Sequence, residues 1–267
     1  VPETFAQFEG AWSARARAAG LTLGVPATFA VETASTNDDA KIAAANGAEH
    51  GSLFVAGRQL AGRGRQGRRW ESDENASLLF SVIVRVPAVA RYVGALPVAA
   101  GLALVEAIGA LAPATRVALK WPNDVHVGGR KVAGILAEAT VRAGVVEFVV
   151  VGVGVNVGKM HFAPEFASRA TSLENEGIEL ERADVLEAFL ARFGGLADRV
   201  AVHGLRDVST RIAACHELFG RDVTRSDNVV AVADCIDDEG RLVVRLDDVI
   251  ERWSSGEVHL VSDGGLS

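Results

Sequence analysis

The spacing of apolar and polar positions changes from segment to segment along the chain. Residues 4–19 carry apolar side chains at helical spacing and stop at Gly20, which predicts an amphipathic helix. "TFAVET" at 28–33 alternates like a half-buried strand. Thr36 is then expected to cap a helix running through Asn46, with Gly47 as its stop. "SLFVAGR" reads as a second strand and leads into a segment rich in glycine and arginine. "ASLLFSVIVRV" at 76–86 is too apolar for a one-sided sheet, so both its faces are expected to be covered. Residues 91–111 predict a long helix of small apolar residues.

Shorter β elements follow: "RVALKW", "DVHV" and "KVAGILAEAT", the last two joined by Gly128-Gly129, a composition suited to a two-residue hairpin turn. "VVEFVVVGVGVNV" at 145–157 predicts a long strand, and 182–204 a helix. After residue 217 the pattern shifts to "RDVTRS", "VVAVADCI", "RLVVRL" and "EVHLV", short strands separated by polar turns. The expectation is an α/β (α+β) domain over residues 1–217 followed by a small all-β module over 218–267.

Composition adds limits. With 49% apolar residues and a net charge of −7, a substantial core is expected and disorder is not. The apolar stretch Val93–Val105 stops at Glu106 and falls short of the roughly 20 residues that span a bilayer, so no membrane association is expected. The first residues lack the charged-then-apolar pattern of a signal peptide, and the absence of a leading Met points to processing or trimming. Cys215 and Cys235 stand in no metal-ligand spacing, and both are expected to be reduced thiols of a cytoplasmic protein.

Against this acidic background, "GRQLAGRGRQGRRW" (57–70) holds five arginines and four glycines. Three functional readings compete with a plain solvated hairpin tip. A nucleic-acid arm normally interleaves aromatics with its basic residues, and here only Trp70 is present. A dinucleotide turn fits the pattern Gly62-x-Gly64-x-x-Gly67, yet "ESDENAS" and another strand follow where a packed helix should open. A lid uses both residue types: glycines let backbone approach a ligand and move, and arginines offer forked donors to carboxylate or phosphate.

Four further segments bear on the choice. "ASTND" (34–38) places hydroxyls and an amide at a helix start, where a simple cap would look the same. "KWPND" (120–124) is stiffened by its Trp-Pro pair and on its own reads as a structural turn. "RKVAGILAE" sets Lys131 at the head of an apolar strand, a common exposed position. "VVGVGVNV" puts Gly152 and Gly154 inside a strand, unfavourable unless something must come close.

Taken in this order, "STN" (35–37), Gln59 with "GRGRQGRRW" (62–70), "KWPND", "KVAGIL" (131–136) and "GVGVN" (152–156) resemble the biotin protein ligases. The resemblance implies a class II synthetase-like catalytic domain with a mixed sheet, followed by an SH3-like β-barrel. It implies activation of biotin by ATP and Mg²⁺ to biotinyl-5′-AMP, then transfer to a lysine of a biotin carboxyl carrier domain. Many members carry an N-terminal DNA-binding winged helix. "STN" at residue 35 leaves no room for one here, so the monofunctional form without DNA recognition is expected.

By resemblance, Ser35, Thr36, Asn37, Gln59, Gly62, Arg63, Gly64, Arg65, Lys131 and Gly134 fall at biotin-binding positions. Arg68, Trp70, Lys120, Asn123, Asp124, Gly152 and Asn156 fall at ATP or adenylate positions. Lys131 and Arg65 are the implied catalytic residues, and no residue set is assigned to the metal. A lipoate–protein ligase is the nearest alternative, although it should lack the Gly-Arg-Gly-Arg loop.

Overall fold

The computed structural model describes residues 4–72, 76–85, 90–256 and 258–261. Its larger sheet contains β1 (Ala27–Thr33), β2 (Leu53–Gln59), β3 (Ser77–Val84), β4 (Val117–Lys120), β5 (Asp124–Val127), β6 (Arg130–Arg142) and β7 (Val145–Asn156). They lie in the order β1-β2-β3-β7-β6-β5-β4. β1 and β2 run parallel, and the remaining pairs are antiparallel. A parallel pair needs a crossover, and the helix between β1 and β2 supplies it. The α-helices are α1 (Phe5–Ala18), α2 (Thr36–Ala45), α3 (Leu96–Leu111), α4 (Pro164–Ala167), α5 (Arg182–His203) and α6 (Ser209–Cys215). The smaller sheet is antiparallel: β8 (Asp222–Arg225), β9 (Val230–Ile236), β10 (Leu242–Leu246), β11 (Val249–Trp253) and β12 (Val258–Leu260), in the order β11-β10-β9-β8-β12.

The mixed α/β class is as the sequence predicts, with several local differences. The cap of α2 is Ser35, in extended backbone, and Thr36 is already helical. The Ser35 hydroxyl makes no capping bond. The run over 91–111 divides into a 3₁₀ segment, Ala90–Ala95, and α3, with Pro97 in the first turn where a missing N–H costs little. The combined stretch Ala90–Leu111 is long and apolar enough to cross a membrane by length and composition, and 67% of an 18-residue part of it is buried inside the protein. The sequence reading ended that run at Glu106, and the helix continues past it. β11 was not expected. Its partner β10 turns back through Asp247, whose φ of 52° is left-handed, and no glycine marks the turn. Residue 86 of the expected third strand lies outside the described residues.

Alternation along β7 explains how the sheet serves two purposes. Val149, Val151, Val153 and Val155 enter the main core with residues of α3 and α5. Phe148 and Val150 point the other way and pack with Ala40 and Ala44 of α2. Each such fully buried aliphatic or aromatic side chain contributes about 1.5–3 kcal/mol. Beyond the end of α2, the same face continues as Gly152, Gly154 and Asn156, where small residues leave the sheet open.

The smaller sheet shares the main core: Leu218, Val223, Ala233, Leu242, Val244 and Trp253 belong to the same buried cluster as α3 and α5. The turn between β9 and β10 fixes the contact. Trp121 Nε1 donates to Gly240 O (2.8 Å), and the Leu205 amide donates to Asp238 O (3.1 Å). A Cβ on Gly240 would lie 2.5 Å from Gly94 O, so only glycine allows this approach.

Candidate active site

The N-terminus of α2, the end of β2 and the glycine-bearing face of β6 and β7 enclose a cleft with a cavity volume of ≈ 190 Å³. Its innermost part is a polar recess. The Thr36 amide donates to Gln59 Oε1 (2.8 Å), and the Thr36 hydroxyl lies 3.2 Å from the same oxygen. Ser81 Oγ donates to Asn37 Oδ1 (2.6 Å) and sits 2.8 Å from Thr36 Oγ1. Asn37 Nδ2 donates to Glu138 Oε2 (2.7 Å), which fixes the orientation of the amide. Ser35, Thr36 and Asn37 are each at least 95% buried. Recognition of a ring with amide-like edges needs a pre-oriented set of this kind, because each unpaired buried polar group costs about 1–3 kcal/mol.

The glycines of the cleft floor are filled by side chains. Gly134 pairs with Gly154, and Leu136 with Gly152, across β6 and β7. A Cβ on Gly154 would lie 2.6 Å from the Trp70 indole, one on Gly134 3.0 Å from it, and one on Gly152 2.1 Å from Asn37 Oδ1. Close approach is therefore made here by Trp70 and Asn37. The Trp70 Nε1 donor is buried without a partner.

The Gly/Arg segment forms a short hairpin. The Trp70 amide donates to Gly62 O (3.0 Å) and the Gly64 amide to Arg68 O (2.7 Å), while Arg63 and Arg69 form an antiparallel bridge. Gln66 and Gly67 turn it with φ of 57° and 74°. Gly62 does not line the cleft; a Cβ there would lie 2.9 Å from Trp70 O, so the hairpin's closure requires the glycine. Arg63 is engaged by Asp38 through both terminal nitrogens (2.5 and 2.6 Å). Arg65 is different: among the described residues its side chain meets Asn123 Oδ1 at 3.5 Å, and burial lowers the pKa of its guanidinium from the ordinary value. A partly desolvated cation of this kind is ready for an anion.

Opposite the hairpin, the β4–β5 turn supplies Lys120, Asn123 and Asp124. Asn123 is locked to β6, its Nδ2 donating to Ile135 O (2.7 Å) and its own carbonyl accepting from the Ile135 amide (2.9 Å). Trp121 is 1% exposed and its amide donates to His216 Nε2 (3.1 Å). Lys131 is clamped along its backbone, its amide donating to Arg169 O (2.8 Å) and its carbonyl accepting from Thr171 (2.9 Å). Its ammonium reaches Asp124 Oδ1 at 2.7 Å and lies 5.5 Å from the centre of the Trp70 ring.

Of the residues expected from sequence, Gly62 and Asn156 do not line the cleft, and the others do. Asn156 is 4% exposed, with Nδ2 donating to Thr171 O (2.9 Å) and Oδ1 left as a buried acceptor without a partner. Sequence reasoning missed Glu138, Ser81 and Asp38, and also Gly256, Val258 and His259, which bring β12 and the residues before it to the cleft wall. No motif marks those last three. The cleft lining carries Arg63, Arg65, Arg68, Arg69, Lys120 and Lys131, and Asp124 is its one carboxylate among the described residues. Such a wall focuses positive potential on an anionic ligand.

Comparison with known proteins agrees with this arrangement. Residues 31–156 match the model of the biotin/lipoate A/B protein ligase family, and 222–261 that of the biotin protein ligase C-terminal domain. The chain is 36% identical over 240 residues to the biotin–[acetyl-CoA-carboxylase] ligase of Mycobacterium tuberculosis, covering 85% of this chain and 86% of that protein. It is 32% identical over 232 residues to the bifunctional ligase/repressor BirA of Bacillus spizizenii, covering 85% of this chain and 71% of that one. The biotin protein ligase of Aquifex aeolicus in complex with biotin and ATP superposes with a TM-score of 0.73 at 26% identity, covering 88% and 98% of the two chains. The chain belongs to the biotin protein ligase family.

Proposed function

We propose that the cleft binds biotin and ATP side by side, joins them as biotinyl-5′-AMP, and transfers biotin to a lysine of a biotin carboxyl carrier domain. The observation that carries the reading is the polar Ser35–Thr36–Gln59 recess opening directly onto a wall of six cationic side chains. The recess suits a ureido ring, with one acceptor and two N–H donors. The wall suits a carboxylate and a polyphosphate.

A carboxylate oxygen of biotin attacks the α-phosphorus of ATP, and the bond to the departing pyrophosphate breaks. Like charges oppose this approach, so fixed positive charge at the α-phosphate lowers the barrier. Lys131, pinned along its backbone, and Arg65, partly desolvated, are the groups we assign to that task. Trp70 Nε1, a buried donor without a partner on a residue of the cleft lining, suits an acceptor on the edge of the adenine ring. In the second step the carrier's amine attacks the acyl carbon and AMP leaves. The hairpin excludes water meanwhile, because an acyl-adenylate hydrolyses when wetted.

Mg²⁺ would arrive with the ATP phosphates and neutralise part of their charge. Among the described residues no group of three or more ligating side chains is present, and Asp124, the one carboxylate of the cleft lining among them, would be the residue to hold such an ion. We further assign residues 1–217 to catalysis and 218–267 to the smaller unit, and a cytoplasmic location, where ATP and the carrier meet.

Incubation with labelled biotin, MgATP and a generic biotin carrier domain tests the reading. Label on the carrier lysine is expected. A family model that covers both biotin and lipoate ligases makes lipoate with its own carrier the necessary second arm. Labelling by lipoate and not by biotin would overturn the assignment.

A further inference from the structure

The Gly62–Trp70 hairpin keeps its shape through its own backbone bonds, and these do not fix its tilt over the cleft. One tie to the body of the protein is the fork of Arg63 on Asp38, with Glu138 Oε2 a further 3.5 Å from Arg63 Nη2; the Trp70 indole over Gly134 and Gly154 and the Arg65 contact with Asn123 are others. Asp38 lies in the first turn of α2, its amide bonded to Ser35 O, on a helix seated by Ala40 and Ala44. Glu138 is itself held by Lys41 and by Asn37 Nδ2. The hairpin is thus fastened to the same helix end that forms the polar recess.

An acid in the first turn of a helix ordinarily does no more than complement the helix dipole. Asp39 is such a residue, in the same turn and without an ion pair among the described residues. Asp38 differs by its geometry, a two-point contact of the strong charge-assisted kind. The Arg63 hydrogen bond also holds the Asp38 carboxyl below the usual carboxylate range.

We propose that Asp38 is a positioning residue for the hairpin: its pairing with Arg63 holds Arg65 and Trp70 over the cleft and slows escape of the bound intermediate. The second half of this statement rests on the acyl-adenylate reading above; the first half does not.

Two measurements separate them. Hydrogen exchange on the ligand-free full chain, followed over residues 59–70, is expected to quicken roughly 3- to 10-fold in Asp38→Asn, the range of one bidentate ion pair. Arg63→Gln should give the same change, the double variant no more, and Asp39→Asn none. Biotinyl-adenylate formed without carrier should then dissociate faster from Asp38→Asn by a similar factor, with a smaller change in the rate of adenylation. Parent-like exchange in Asp38→Asn, an equal effect of Asp39→Asn, or additive effects of the Asp38 and Arg63 changes would overturn the proposal. A parent protein that forms no biotinyl-adenylate would sink the functional reading, while the exchange measurement would still decide the role of Asp38.

Discussion

Lys131 Nζ lies 2.7 Å from Asp124 Oδ1, so the lysine of the cleft floor is aimed by a carboxylate before any ligand arrives. Lys131→Met preserves most of the stem's volume and deletes the charge. The variant should fold, and biotin-dependent exchange of labelled pyrophosphate into ATP should fall by a factor on the order of 100 or more. Lys159 is exposed and lies outside the cleft, so Lys159→Met should exchange at the parent rate. Parent-rate exchange by a folded Lys131→Met would remove Lys131 from the chemistry.

The two strand glycines make separable demands. Gly154→Ala drives a methyl to 2.6 Å from the Trp70 indole, and Gly152→Ala drives one to 2.1 Å from Asn37 Oδ1. Displacing Trp70 should weaken ATP more than biotin, and displacing Asn37 should do the reverse, each by about 10-fold or more given misplacement of one buried group. Isothermal titration with each ligand alone checks this. Equal losses of both ligands in both variants would mean that the sheet, and not the two side chains, had been disturbed.

The hairpin between Gly62 and Trp70 presents Arg63, Arg68 and Arg69 at its surface, where trypsin can reach them. Biotin with ATP should slow cutting in this segment several-fold relative to biotin or ATP alone, as arginine–anion pairing orders the backbone. Cutting at one rate in all three conditions would make the hairpin a static wall.

His216 gives the stability a pH dependence. Burial lowers its pKa from the ordinary 6.5 to about 3, and its Nε2 accepts from the Trp121 amide, which a proton there would oppose. The folded state therefore refuses a proton that the unfolded chain takes. The stability is whole above the unfolded pKa and is lost as pH falls toward the folded one. From about pH 7 to about pH 5 this group alone should cost about 2 kcal/mol, read as a drop in the urea midpoint. His216→Gln, which can still accept from Trp121, should flatten that dependence. An unchanged slope in the variant would assign the loss to other groups.

Much of this was legible in the sequence because period and punctuation agreed. The alternation of "VVVGVGVN" sorts β7 into a core face and an open face, and the strand glycines already said that something must come close. What comes close is Trp70 to Gly154 and Asn37 to Gly152, from 84 and 115 residues away, a fact no local pattern carries. Adjacent Ser35 and Thr36 are both capping residue types, and the extended backbone of Ser35 decides between them. Asp38 was invisible for a similar reason, since an acid in a first turn has an ordinary explanation. Gly256, Val258 and His259 reach the cleft only through the docking of the smaller sheet, which depends on long-range contacts such as Trp121 to Gly240.

That docking changes what it means to exchange parts between relatives. The change of character after residue 217 looks like a seam for building chimaeras, and a designer would graft there. The contact that joins the two sheets lies elsewhere, at the β9–β10 turn. A grafted C-terminal sheet would bring a foreign stretch of cleft wall at 256–259 and a foreign partner for Trp121, and with them a different grip on the turn that carries Asn123 and Asp124. Donor and recipient must therefore match across the turn at Gly240 before they match at the splice.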